Sequence, residues 1–413
     1  MAMILFSGAA LFDGEAPALK SGMNVLVEGD RIKEVSEKTI RAKGAREIKL
    51  KGKALLPGLI DAHFHATLCE ANIARLDQMP KTLLAQYARV NLEAALQRGF
   101  TTIRDAGGAD YGLAIAVDSG LIQGPRLFYA GKVLSPTGGH GDARPLEATA
   151  TQVACTCCLG ATAFSHIVDG VDAVRRAARE ELRRGATQIK IMASGGVASP
   201  SDPIYVLQFS EEEIRAAVFE AQSWRRYVMA HAYTPEAIYR AVSFGVRSIE
   251  HANLIDAQTA KLCTDKGAFV VPTLVTYEML EKYGREYGLP EVSIEKNKVV
   301  REAGLKSLEV LKAAGTKMGF GTDLIGGMHP HQSREFSIRA EVLSGYEVLR
   351  SATAGNAELL QADGQVGCIR PGAYADFVVV KGDPLKNVSL LDNPAKNILA
   401  VMKGGKFFRE ALE

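Results

Sequence analysis

The sequence predicts an α/β chain: a (β/α)8 TIM-like barrel carrying a small β-sandwich domain built from both chain ends. Three observations predict it. Eight short β-rich runs recur through the middle of the chain, separated by stretches with helical patterning. The first run ends in two histidines, His63 and His65; residues two apart on a strand point the same way. Both termini are β-rich in another style, short runs punctuated by Gly-Asp and Lys-Gly turn steps. A length of 413 residues suits one large barrel with an accessory module.

In chain order, residues 4–6, 24–27 and 31–35 read as antiparallel strands, and 377–380 and 398–402 return to that style. Residues 1–56 and 361–413 are therefore expected to form one sheet domain, and 57–360 the barrel. The apolar run ending at His65 is barrel strand one. Residues 101–104, 126–129, 188–191, 227–230, 247–250, 269–272 and 317–320 supply the other seven. Helical patterns fill 169–184 and 210–225, the second opened by Ser210 with Glu213 three residues on, a capping box. Residues 134–168, rich in Gly, Thr and Cys, form the one long irregular stretch. A loop of that length in a compact domain is more often functional than idle, and here it is expected to cover the active site.

Composition narrows the function. Hydrophobic content of 47% and charged content of 23% are those of an ordinary globular protein. A net charge of +2 without a basic block points away from nucleic acid and anionic membrane. The first residues are apolar but lack a basic segment before them, and no run of 18 uncharged apolar residues occurs. Neither a signal peptide nor a membrane span is expected, and a cytoplasmic location is. The six cysteines make no regular framework and read as reduced thiols. Cys155, Cys157 and Cys158 have no second pair at zinc-finger spacing, so a plain loop is expected there.

The chemistry lies at the strand ends, which face the mouth of a barrel. Strand one offers His63 and His65, strand four Lys190, strand five His231, strand six His251 and strand eight Asp323. Singly, each has a bland reading: a structural histidine, a snorkelling lysine, a helix cap. Together, four imidazoles and a carboxylate suit zinc or a similar divalent ion. Lys190 is the odd member, because an ammonium cannot ligate a cation. As a carbamate, formed when a neutral amine takes up CO2, it becomes an anionic group able to bridge two metals; burial favours the neutral amine. His329 and His331 read as a loop after the last strand, structural or pocket-lining. Arg104-Asp105 reads as a local ion pair, with a substrate-carboxylate clamp as the alternative, and Cys69 has no evident base partner.

These residues carry a resemblance. The His63-x-His65 pair, Lys190 followed by Ser194-Gly195-Gly196, His231-Ala232-Tyr233, Glu250-His251-Ala252 and Gly321-Thr322-Asp323 resemble the amidohydrolase superfamily, in its binuclear, carboxylated-lysine form. Arg370 to Phe377 resembles its flanking β domain, so the likeness spans essentially the whole chain. It implies two divalent ions, zinc expected, with His63, His65 and Asp323 on the first, His231 and His251 on the second, and carboxylated Lys190 on both. It implies that Asp323 acts as base and then acid in amide hydrolysis. Within the superfamily the chain looks most like prolidase-like enzymes that cleave Xaa-Pro dipeptides, partly through Gly138-Gly139-His140-Gly141-Asp142. In those enzymes a loop histidine and a tyrosine approach the substrate, and the matching positions are His140 and Tyr233. The implied partner is a small dipeptide or N-acyl amino acid, with a homo-oligomer expected. Two alternatives stay open: hydrolysis of other N-acyl amino acids or release of C-terminal Arg, Lys or an aromatic residue, and an inactive scaffold on the same fold.

Overall fold

The structure, a computed structural model, describes residues 3–76, 79–144, 164–199 and 201–412. Eight strands from the two ends form one hydrogen-bonded sheet. The N-terminal end supplies Met3–Leu11, Lys20–Glu28, Arg31–Ser36, Arg46–Lys49 and Lys53–Pro57; the C-terminal end supplies Phe377–Lys381, Ile398–Lys403 and Lys406–Glu410. The ends join where Lys53–Pro57 runs antiparallel to Phe377–Lys381, with Phe377 opposite Pro57. Both faces of this seam are buried. Leu56, Val378 and Val380 pack with Phe100 and Phe320 of the barrel, while Leu55, Phe377 and Val379 pack with Phe6 and Val25. A strand covered on both faces reads as an unbroken apolar run rather than an alternation, as 377–380 does. The expected sandwich is thus one continuous sheet with a core on each face.

The barrel strands are Leu59–Phe64, Phe100–Asp105, Arg126–Tyr129, Gln188–Met192, Tyr227–Ala232, Ser248–His251, Phe269–Val271 and Lys317–Met318. Parallel ladders join strands one to three and four to eight. The ring closes through Thr187 N donating to Tyr129 O at 2.9 Å and Ala62 N donating to Phe320 O at 2.8 Å. Strand three breaks after Tyr129 and resumes as Val133–Ser135, where Leu134 pairs with Ile191 of strand four. Strand ends shift from the sequence reading by a residue or two, except that the eighth ladder covers only Lys317–Met318. Helix Glu211–Ser223 carries the expected capping box, with Ser210 and Glu213 each bonded to the other's backbone.

Of the stretch 134–168, expected to cover the active site, residues 145–163 lie outside the described residues. Ser165–Ile167 is a strand, parallel to Val133–Ser135. Cys155, Cys157 and Cys158 lie outside the described residues. Among the described residues no helix is long and apolar enough to cross a membrane.

His329 and His331 belong not to a loop but to a 3-10 helix, Gly326–Arg334. His331 stacks on Tyr283, centroids 5.3 Å apart. His329 is buried against Phe64, the ring between the two strand-one histidines, at 5.0 Å. Burial, with Arg98 acting in the same direction, brings its imidazole down to about 3. The folded state therefore keeps His329 neutral at pH values where the unfolded chain protonates it. Its contribution is complete above about pH 6.5 and declines as pH falls towards 3. Urea denaturation at pH 7 and pH 5 should show His329→Met losing about 2 kcal/mol less over that interval than the parent. Equal losses in the two proteins would contradict the assignment.

Candidate metal centre

His63 and His65 project from the end of strand one. The His63 Nδ1 lies 2.7 Å from Glu250 Oε2, and the His65 Nδ1 lies 2.9 Å from the Gly107 carbonyl. Both partners are acceptors, so each Nδ1 carries the hydrogen and each Nε2 is left with a lone pair. The two Nε2 atoms then face one oxygen, Asp323 Oδ1, at 3.2 and 3.1 Å. Three electron pairs turned towards one another call for a cation among them, and outward Nδ1–H bonds of this kind orient metal-ligating histidines. The ligand atoms of His63, His251 and Asp323 lie within 4.8 Å of one another, a group that could hold a metal ion.

Three of the remaining predicted groups complete the cluster. His251 Nδ1 is 2.8 Å from Thr273 Oγ1 and 3.8 Å from Asp323 Oδ2. The His231 ring sits 4.6 Å from that of His251, and its Nε2–H donates to Gly195 O at 3.2 Å. Lys190 is 2% exposed at the floor. The compact group of His63, His251 and Asp323 crosses the two ligand sets that the resemblance implies.

The backbone is unusual at two of these positions. His251 has φ 76° and Asp323 φ 53°, left-handed values that non-glycine residues seldom adopt. Such conformations persist where surrounding structure enforces them, most often at functional sites. Just before Asp323, a Cβ on Gly321 would stand 2.7 Å from the Cβ of His63 and 2.6 Å from Val271 Cγ1. Only glycine lets strand eight come this close to strand one.

Charge follows from burial and neighbours. A proton on His63 is the alternative to a cation among these groups: burial opposes both charges, yet Asp323 raises the His63 imidazole above its ordinary value, and the charged His63 holds Asp323 well below the usual carboxylate range. Burial drives His231 and His251 well below the ordinary imidazole value. Burial also brings the Lys190 amine down to about 8, against the pull of Glu250 and Asp323. At neutral pH roughly a tenth of that amine is uncharged, the form that reacts with CO2.

His140 and Tyr233 converge on the same place. His140 stacks on His231 at 4.4 Å and 24°. Tyr233 meets His231 edge-on at 4.8 Å. All eight predicted side chains line one cleft, with Phe164, Met192, Val197, Tyr277 and Leu280 among its other walls. Cys69 stays apart, its Sγ 3.7 Å from Met79 Sδ.

Arg104 and Asp105 do not form the expected pair, and Arg104 is no substrate clamp. Arg104, fully buried beneath the cleft, bonds both Glu250 oxygens at 2.9 Å and the Ala62 carbonyl. Asp105 instead accepts from the amides of Ala66, Gly107 and Ala109, shaping the turn that presents Gly107 O to His65. The support shell of Glu250, Arg104 and Asp61 carries no spacing signal. Glu250 precedes His251, and strict alternation would put them on opposite faces; the left-handed turn at His251 lets both serve the site. Tyr277, whose hydroxyl donates to that of Tyr233 at 3.0 Å, comes from helix Leu274–Tyr283 and belongs to no motif.

Comparisons with known proteins agree with this geometry. Residues 54–408 match the model of the Amidohydrolase family. Ochratoxinase of Aspergillus niger is 33% identical over 373 residues, 86% of this chain and 75% of that protein. A solved amidohydrolase structure superposes with a TM-score of 0.97 at 52% identity, covering 100% of both chains. A prolidase complexed with N-methylphosphonate-L-proline superposes with a TM-score of 0.96 at 48% identity, covering 99% of this chain and 100% of that one.

Because Glu250 fixes the tautomer of His63, Glu250→Gln should weaken metal binding by roughly 10–100-fold. Titration against a competing chelator measures it. Affinity within twofold of the parent would show that the carboxylate does not matter to the centre.

Proposed function

The chain belongs to the amidohydrolase family, and from that premise we propose that it hydrolyses the amide bond of Xaa-Pro dipeptides at a binuclear metal centre. The observation that carries this reading is the convergence of all eight predicted side chains on one cleft at the carboxyl ends of the barrel strands. In this reading His63, His65 and Asp323 hold one divalent ion, His231 and His251 the other, and carboxylated Lys190 joins them, zinc being the expected metal. Bound there, the ions polarise the scissile carbonyl and lower the pKa of water to generate a nucleophile at neutral pH.

The chain's own groups supply the rest. Asp323, an ionised carboxylate facing the strand-one histidines, takes the proton of the attacking water on a carboxylate oxygen and returns it to the departing amine. Burial keeps the Tyr233 phenol protonated, so it donates a hydrogen bond, and His140 Nε2 is free because Nδ1 faces Asp202 Oδ2 at 3.2 Å. Tyr233 is suited to hold the substrate carboxylate through its O–H, and His140 through an Nε2–H when the ring is protonated against Asp202, since the neutral ring has one N–H and Asp202 takes it. Apolar walls from Phe164, Met192 and Leu280 suit an uncharged Xaa side chain.

The likeness to ochratoxinase favours a second reading, hydrolysis of an amide other than Xaa-Pro, for which other N-acyl amino acids are the candidates. Release of C-terminal Arg or Lys has less support. Asp323 is the one carboxylate among the described residues lining the cleft, and the histidines already engage it.

Protein purified without chelator should contain about two equivalents of divalent metal by elemental analysis. Lys190→Ala should lose metal and activity together, with partial recovery in short-chain carboxylic acids. Normal rate and two ions in that variant would end the carbamate assignment.

Substrate choice is read by kcat/KM for Ala-Pro and Leu-Pro against N-acyl-Arg and N-acyl-Phe. The dipeptides should win, and Tyr233→Phe should raise their KM far more than that of an amidated analogue. A preference of more than about tenfold for an acyl-Arg or acyl-Phe compound would remove the prolidase reading and leave the amidohydrolase centre intact.

A further inference from the structure

One charged group near the cleft has no part in the chemistry above. Lys296 lies on the outer helix Glu291–Ala313. An ammonium has three donors, and those of Lys296 meet three main-chain carbonyls of one loop: Gly196 at 2.6 Å, Ser199 at 2.5 Å and Asp202 at 3.0 Å. A lysine on an outer helix ordinarily keeps its charge in water. This one is half-buried, and burial pushes its amine below the ordinary value. Holding it there without compensating bonds would be unfavourable, so the three carbonyls and the ammonium stabilise one another.

The loop so held is the one behind His140. It leaves strand four and folds back on it, Gly195 N bonding Val206 O at 2.9 Å and Gln208 N bonding Ala193 O at 3.0 Å. That closes its base; Lys296 gathers its far end. There a single oxygen, Asp202 Oδ2, accepts from Gly196 N at 2.9 Å and faces His140 Nδ1 at 3.2 Å. The loop is pressed against that imidazole, since a Cβ on Gly196 would lie 2.1 Å from His140 Cε1. Val197 and Ala198, between the clamped carbonyls, line the cleft. The next residue on the helix, Asn297, donates to Tyr277 O at 3.0 Å, so two adjacent residues hold two walls of one cleft.

We propose that Lys296 is a positioning residue for substrate: by clamping the Gly196, Ser199 and Asp202 carbonyls it sets the placement of His140 and of the Val197–Ala198 wall. The proposal rests on the reading of His140 as a substrate-binding group. It predicts a loss in binding rather than in the chemical step, because Lys296 touches none of the proposed metal ligands.

The test uses Lys296→Met in the metal-loaded enzyme, with the best substrate among the dipeptides and N-acyl amino acids. KM should rise roughly tenfold while kcat stays within about threefold, and metal content should not change. In a His140→Ala background the same substitution should raise KM clearly less than in the parent, by about threefold at most, what remains coming from the Val197–Ala198 wall. Should Lys296→Met fail to fold, Lys296→Gln is measured in the same way. A KM within twofold of the parent in the folded variant overturns the proposal, as does the full tenfold effect persisting without His140. The two readings fail separately. A parent enzyme that prefers an N-acyl amino acid refutes the Xaa-Pro reading, while the KM comparison on that substrate still judges Lys296.

Discussion

The approach of barrel strand eight to strand one is the constraint on which the rest of the site depends. Asp323 reaches the strand-one histidines because its own amide, and that of Thr322, bond the His63 carbonyl at 2.8 and 3.2 Å. Asp61 secures the same seam from below. Its buried carboxylate accepts from His63 N, Thr322 N, Thr322 Oγ1 and Gln332 Nε2. Gly321 makes the approach sterically possible. Remove the seam and the carboxylate that balances three imidazoles is no longer in reach. The closure of the barrel and the assembly of the centre are therefore one event.

Below that seam the interior is polar in a way that hydrophobic collapse alone would not produce. Arg104 and Glu250 are fully buried and paired, as are Arg339 and Glu335 at 2.7 Å. Arg339 also bonds the Gly319 carbonyl at 2.9 Å and that of Pro272, tying strand eight to strand seven. Buried ion pairs add little net stability over apolar groups of the same volume, but breaking one leaves a charge stranded. Their value here is geometric. Glu250 orders His63, and Arg339 orders the strand leading to Asp323, so the groups that face the cleft inherit their positions from pairs that do not.

Much of this was legible in the sequence, for a physical reason. A barrel strand presents its end to the mouth, so a polar residue closing an apolar run announces both the strand and the site. His63, His65, Lys190, His231, His251 and Asp323 all follow that rule and all line the cleft. The double-faced burial of 377–380 is likewise visible as an unbroken apolar run. The support shell was not visible. Arg104 and Asp105 look like neighbours in an ion pair, yet alternation sends one to Glu250 beneath the site and the other to the turn at Gly107. The left-handed turn at His251 has no signature either, since histidine adopts that conformation only occasionally and nothing in the adjacent sequence marks where it does. The strand at Ser165–Ile167 was hidden for a related reason: three residues at a sheet edge, beside a Gly-rich segment, are too few to show a period.

The proposed metal ligands and the proposed substrate contacts differ in how their positions are encoded. The ligands stand on strands whose register is set by a ladder of backbone bonds, so a spacing of two residues carries geometric meaning. His140, Tyr233 and Tyr277 stand on segments whose shape is set by contacts distant in sequence. His140 takes its place from Gln208 and Asp202, 68 and 62 residues away, and Tyr277 from Asn297. No local pattern anticipates such bonds, and a change at any of them alters the cleft while every ligand stays in place. A fold of this kind can keep one reaction and vary its substrate, which is why the centre is readable from strand-end spacing while the preference among amides turns on side chains whose placement no local spacing sets.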